Sequence, residues 1–64
     1  MLKITLKAAR VNAGFKQCES AKRLGISRKT LIRWENGETF PKPEQINALC
    51  ALYGVSYDNI IFLK

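Results

Sequence analysis

The feature that most constrains this chain is a turn of only three residues, 25–27, between two segments with helical patterns. The segment before the turn covers residues 17–24 and is closed by Gly25. The segment after it begins at Ser27, a favourable N-cap residue, and runs to about Glu35. A glycine-containing connection of this length holds two helices together as a tight pair. The turn therefore predicts that a helix-turn-helix pair forms the centre of the fold.

Three further helices are predicted around this pair. The first covers residues 6–13 after an N-cap at Thr5, the fourth covers 43–53, and a short fifth covers about 57–62. No alternating pattern typical of strands competes with these helices. A chain of 64 residues suffices for one domain, 1–64, and we expect no separate ligand-sensing domain. The sequence therefore predicts a compact all-α domain of five short helices.

The charge of the chain is strongly basic and unevenly distributed. Eleven Lys and Arg residues stand against five Asp and Glu, which gives a net charge of +6 and a pI near 9.8. Between positions 16 and 33 the only acid is Glu19, whereas the cations there are Lys16, Lys22, Arg23, Arg28, Lys29 and Arg33. Such a local excess favours a polyanionic partner, nucleic acid before an anionic membrane surface.

The third predicted helix has two chemically different sides. At about 100° per residue, Leu31 and Trp34 fall on one side and are expected in the core. The other side is an arc about 140° wide that carries Arg28, Lys29, Ile32 and Arg33. This arc is either a solvated face or a surface that meets the major groove of DNA, where Arg and Lys read guanine and an aliphatic chain packs on a thymine methyl. The lack of an acid on this arc favours the interpretation as a surface that meets the major groove. Ile32 favours it too, unless its side chain is partly buried at the edge of the helix.

The stretch GFKQCESAKRLGISRKTLIRWENG, residues 14–37, resembles the helix-turn-helix domains of phage repressor and Cro-type proteins, the Xre-like family. The resemblance extends over nearly the whole chain. The matching positions are Gly14, Phe15, Gln17, Ala21, Gly25, Ser27, Leu31, Trp34, Glu35, Asn36 and Gly37. Ser20 departs from the pattern, because the family usually has Leu there, so we expect a thinner local core or one filled by Phe15 and Trp34.

The resemblance implies a lambda-repressor-like fold that binds double-stranded DNA through the third helix. It also implies a dimer on a palindromic operator and a repressor-like role in transcription. In such domains the Gln that opens the second helix, here Gln17, hydrogen-bonds a phosphate, and the loop after the third helix forms a second phosphate clamp. The residues expected to contact DNA are Lys16, Gln17, Ser27, Arg28, Lys29, Ile32, Arg33, Asn36, Thr39, Phe40 and Lys42.

Two further sets of residues follow from the resemblance and from the pattern of apolar residues. Arg10 and Glu35 match positions that form an ion pair in several members of the family, so we expect them to form a partly buried structural pair. Four residues near the C-terminal end are expected either to close the core or to form the dimer contact: Tyr57, Ile61, Phe62 and Leu63.

Other functions are disfavoured by residues that the chain lacks. Cys18 and Cys50 are too few for a zinc site and no His completes one, so we expect no metal and no cofactor. The chain has no His, paired carboxylates or glycine-rich phosphate loop that would suggest an enzyme. No apolar run approaches the roughly 20 residues of a membrane span. We therefore expect a cytoplasmic protein of bacterial or phage origin, without a membrane or small-molecule partner. An antitoxin-like or other protein-interaction module, with DNA binding secondary, is the alternative.

Overall fold

The computed structural model describes residues 3–62 of the chain. It contains four α-helices, a 3-10 turn and a pair of very short strands. In chain order the elements are β1 (Ile4–Thr5), α1 (Leu6–Asn12), α2 (Gln17–Leu24), α3 (Arg28–Glu35), α4 (Pro43–Tyr53), the 3-10 turn (Tyr57–Asn59) and β2 (Ile60–Ile61). The helix pair α2–α3 forms with the short turn that the sequence predicts.

The predicted fifth helix is wrong, and so is a purely helical fold. Ser56 makes no capping hydrogen bond through its side chain, and only the three residues Tyr57–Asn59 form a 3-10 turn. Ile60 then adopts an extended backbone and pairs in parallel with Ile4. Because β-branched residues favour extended backbone and Ile60 is also a buried core residue, strand pairing replaces the helix.

The helices begin at caps of two kinds. In α1 and α3 a side-chain oxygen of the N-cap accepts a backbone N–H: Thr5 Oγ1 from Ala8, and Ser27 Oγ from Thr30, both at 3.1 Å. In α2 and α4 the N-cap is a lysine, and the third residue of the helix accepts the lysine backbone N–H instead. The α2–α3 turn needs Gly25, whose φ of +72° lies in the left-handed region.

One small core holds the helices together. Leu31 of α3 and Leu49 of α4 are completely buried at its centre. The buried apolar residues are Leu6, Ala9, Ala21, Leu31, Trp34, Leu49, Tyr53 and Ile60. Because every helix contributes to this core, α3 cannot turn about its axis without exposing apolar surface. The core therefore determines which side of α3 faces outward.

No helix within residues 3–62 has the length and apolar character needed to cross a membrane.

Candidate nucleic-acid interface

The outward side of α3 carries cations, and its inward side is apolar. Leu31 and Trp34 are buried, whereas Arg28, Lys29 and Arg33 are exposed. Ile32 lies at the boundary, where its side chain is half-buried. The cations therefore form one accessible surface, and Ile32 presents part of its aliphatic side chain beside them.

The start of α2 lies next to the start of α3. Lys16 is exposed at the N-cap of α2, and Gln17 is half-buried in the first turn of that helix. Gln17 Oε1 accepts a hydrogen bond of 3.3 Å from Arg28 Nη2. Ser27 is exposed, and its hydroxyl lies 2.9 Å from the Thr30 hydroxyl. The α2–α3 turn thus brings Lys16, Gln17, Ser27 and Arg28 together at one end of the pair.

A buried ion pair supports this surface from beneath. Arg10 Nε of α1 donates to Glu35 Oε2 of α3 at 2.7 Å, and the two side chains are only 8% and 3% exposed. Arg10 Nη1 also donates to the carbonyl oxygen of Phe15 at 2.8 Å. The other carboxylate oxygen of Glu35 accepts from Gln17 Nε2 at 3.2 Å. Glu35 therefore connects the end of α3 both to α1 and to the first turn of α2.

The loop after α3 presents the remaining residues expected to contact DNA. Asn36 closes α3, with its backbone N–H 2.9 Å from the carbonyl oxygen of Ile32. Asn36, Thr39, Phe40 and Lys42 are all exposed, and Phe40 keeps 53% of its surface accessible. Pro41 between them is buried. The buried proline anchors the loop against the domain, while its neighbours face outward.

The local charge on α2 and α3 is positive. Of the two acids in these helices, Glu35 is neutralised by Arg10, and Glu19 accepts the backbone N–H of Lys16. The exposed cations on and beside the pair are Lys16, Lys22, Arg23, Arg28, Lys29 and Arg33. A surface with this balance attracts a polyanion.

Two residues in the core carry buried hydroxyl groups that the sequence does not single out. Ser20 and Tyr53 are buried, and neither hydroxyl has a hydrogen-bond partner among the described residues. Burial raises the pKa of Tyr53, while the nearby groups Ser20, Glu35 and Arg10 have smaller and partly opposing effects. Tyr53 packs against Phe15, with 6.2 Å between ring centroids. Tyr53 therefore packs its ring against Phe15, while its hydroxyl lies near Ser20.

The C-terminal end leaves an apolar surface beside β2. Tyr57 is 58% exposed and Ile61 is 41% exposed. Phe62 is half-buried and lies against Tyr57, with 6.1 Å between ring centroids. Leu63 lies outside the described residues. Val11 is a further exposed apolar residue, on the side of α1 away from the buried Leu6 and Ala9.

The remaining potentially reactive side chains do not form a metal centre. Within residues 3–62 no three His, Cys, Asp or Glu side chains come together. Cys18 is exposed, and burial raises the pKa of the Cys50 thiol.

Comparisons with known proteins agree with this geometry. A family model described as a helix-turn-helix domain matches residues 2–60. The chain is similar to antitoxin PezA of Streptococcus pneumoniae serotype 4 (strain ATCC BAA-334 / TIGR4), with 36% identity over 61 residues, or 95% of this chain. That alignment covers 39% of the antitoxin, so the chain spans well under half of the relative's length. No solved structure gives a significant match.

Proposed function

The chain belongs to the helix-turn-helix domain family, and we propose that it is a sequence-specific transcriptional regulator that binds double-stranded DNA. One observation carries the proposal. The accessible side of α3 presents Arg28, Lys29 and Arg33, while the apolar side is held in the core. Domains of this family bind DNA and are typically non-enzymatic.

In the proposed complex α3 lies in the major groove and α2 crosses the phosphate backbone. The cations of α3 contact guanine O6 and N7 or nearby phosphates, and the accessible part of Ile32 packs on a thymine methyl group. Two groups of residues bind phosphates on either side of α3. The first is Lys16 and Gln17 with Ser27, and the second is Asn36, Thr39, Phe40 and Lys42. These contacts position the domain, while the α3 contacts carry sequence information.

A second copy of the chain completes the proposed regulator. Two copies bind a palindromic operator with half-sites about 34–36 Å apart, and they repress by blocking polymerase. The accessible apolar side chains Tyr57 and Ile61, with Phe62 and Leu63, form the proposed dimer contact. Residues 1–64 act in this proposal as one DNA-binding unit.

Site selection from random DNA duplexes tests the proposal. The protein is expected to enrich one motif at moderate salt, in two inverted copies spaced by one helical turn. Ile32→Ala should weaken the preference for thymine at one position of each copy, by roughly 1 kcal/mol for the loss of one packed apolar contact. Asn47→Ala, which alters an exposed residue of α4, serves as the control. Failure to enrich any motif would reject sequence-specific binding.

The antitoxin similarity supports a second candidate function. In this alternative the chain is antitoxin-like, its main partner is another protein, and DNA binding is secondary. Purification of the tagged chain from its native cells would then recover a partner in fixed stoichiometry. Arg28→Ala would also leave its biological effect unchanged. If Arg28→Ala abolishes that effect instead, the DNA-binding regulator is the better account.

A further inference from the structure

The carboxylate of Glu35 accepts hydrogen bonds on both of its oxygens. Oε2 accepts from Arg10 Nε at 2.7 Å, and Oε1 accepts from Gln17 Nε2 at 3.2 Å. The Glu35 side chain is almost completely buried, so water does not compete for these positions. A carboxylate is an acceptor only, and Gln17 must therefore turn its NH2 group inward.

This orientation of Gln17 decides which atom of its amide reaches the surface. With the NH2 group turned toward Glu35, the amide oxygen faces Arg28 and accepts from Arg28 Nη2 at 3.3 Å. The reversed amide would place its oxygen against the Glu35 carboxylate and its NH2 group against the Arg28 guanidinium. Both of those contacts are repulsive. The buried negative charge of Glu35 thus determines that Arg28 contacts the oxygen of the Gln17 amide and not its NH2 group.

We propose that Glu35 is a positioning residue for DNA recognition, which acts through Gln17 to orient the Arg28 guanidinium toward one base pair. This inference rests on the proposed DNA-reading function. A guanidinium has five N–H donors, and the contact with Gln17 uses one of them. Enough donors remain for a bidentate contact with guanine O6 and N7, which demands a defined orientation.

The contact between Gln17 and Arg28 matters most in the complex. In the free protein this hydrogen bond is exposed to solvent, and a hydrogen bond of 3.3 Å in water is weak. A DNA groove excludes part of this water, and hydrogen bonds strengthen where the local dielectric constant is low. The hydrogen bonds Glu35–Gln17 and Gln17–Arg28 then form a continuous path from the buried ion pair to the base.

Glu35→Gln tests the path with almost no change in size. Arg10 still requires an acceptor, so the new amide turns its oxygen to Arg10 and its NH2 group to Gln17. Gln17 must then reverse, and it presents NH2 to Arg28. A bidentate contact normally discriminates between bases by about 5- to 160-fold. We expect Glu35→Gln to lower the discrimination at one position by about threefold or more.

The experiment compares base preferences by selection from randomised duplexes. Arg28→Ala first identifies the position that Arg28 reads, as the position whose preference disappears. Glu35→Gln is expected to reduce the preference at that same position and to leave the others unchanged. Leu49→Ala, which lowers stability from the centre of the core, serves as the matched control and should keep the whole motif. Folding of each variant is checked by the fluorescence of buried Trp34.

Gln17→Met gives a second test, because it removes the amide from a half-buried position. It keeps both charges of the Arg10–Glu35 ion pair, although Glu35 Oε1 loses its donor. It should cause the same loss of base preference at the position read by Arg28, together with a uniform weakening from the lost phosphate contact. The double variant Gln17→Met/Glu35→Gln should lose no more base preference at that position than Gln17→Met alone, because both substitutions interrupt the same path of hydrogen bonds. If Glu35→Gln does not fold, Glu35→Asp replaces it. This variant keeps the negative charge beside Arg10 but shortens the side chain that reaches Gln17, so the same reduction at the position read by Arg28 is expected.

Two outcomes would overturn the inference, and they are distinguishable. If Gln17→Met and Glu35→Gln weaken binding to all duplexes equally, these residues do not orient Arg28, although the DNA-binding proposal stands. If the unaltered protein enriches no motif at all, the proposed function fails and this inference fails with it.

Discussion

Removal of either partner of the Arg10–Glu35 ion pair should unfold much of the population. The two side chains are 8% and 3% exposed, and Arg10 Nε lies 2.7 Å from Glu35 Oε2. Arg10→Met keeps most of the side-chain volume but leaves the carboxylate buried without its cation. Breaking a buried pair in this way costs about 3–5 kcal/mol. We expect Glu35→Leu to cost a similar amount, because it strands the Arg10 guanidinium.

The size of this loss is large relative to the stability of the domain. At about 0.05–0.15 kcal/mol per residue, a chain of 64 residues is stable by roughly 3–10 kcal/mol. A loss of about 3 kcal/mol corresponds to a fall of roughly 12–24 °C in Tm for a domain of this size. Either single variant should therefore be partly unfolded near 37 °C. Lys7→Met, which alters an exposed cation of α1, should change the stability by less than about 0.5 kcal/mol.

The double variant Arg10→Met/Glu35→Leu separates the ion pair from simple loss of contacts. Replacing both charges with apolar groups removes the stranded charge, so the double variant should be more stable than either single variant. Full recovery is not expected, because the Phe15 carbonyl oxygen and the Gln17 amide lose their partners, at about 1–3 kcal/mol for each group left unsatisfied.

Urea unfolding followed by Trp34 fluorescence measures these differences, because Trp34 is 5% exposed in the folded domain. The m-value should stay constant across the series, so that a change in midpoint reports a change in stability. Losses below about 1 kcal/mol for both single variants would refute the reasoning, since such values are typical of solvent-exposed ion pairs.

Three other predictions concern pH, DNA contacts and assembly. Burial raises the pKa of Tyr53 above its usual 10.0, so the unfolded state releases that proton first and stability should fall as pH rises above about 10. Thermal melts between pH 8 and 11 should show this fall reduced in Tyr53→Phe. Arg33→Ala should change the base preference at one position by about 1–3 kcal/mol, whereas Lys42→Ala should weaken binding to all sequences and lower the salt slope by about 1. Equal losses on every sequence for both variants would contradict those assignments. Ile61→Glu should place a charge in the proposed dimer contact, so that analytical ultracentrifugation finds one copy and not two on operator DNA, with unchanged helical circular dichroism; two copies on the DNA would exclude Ile61 from the contact.

The helices could be predicted because their signals are local. Ser27 and Thr5 cap α3 and α1 through neighbouring backbone groups, and Gly25 adopts the left-handed conformation that ends α2. The side of α3 that faces outward also follows from helical periodicity, since Leu31 and Trp34 recur with the spacing of one face. These signals depend on residues within about one helical turn of one another, which a sequence displays directly.

The C-terminal segment shows where local signals fail. Ser56 followed by a short apolar segment is typical of a capped helix, but Ile60 and Ile61 instead form β2 against β1. The pairing joins residues 4–5 to residues 60–61, from opposite ends of the chain. Two residues are too few to show an alternating pattern, so the local preference of Ile60 for helix or strand is decided by burial against its distant partners.

By itself, then, the sequence determined the four main helices, the tight α2–α3 pair, and the concentration of cations on its outward side. Only the tertiary structure decided that residues 4–5 and 60–61 form a parallel strand pair, that the Ser20 and Tyr53 hydroxyls are both buried, and that Glu35 hydrogen-bonds Gln17 as well as Arg10. Helix periodicity and caps act between neighbours in the chain, and they specify which elements form. The second hydrogen bond of Glu35 depends on the distance and orientation between two elements, and these are set only when the whole core is packed.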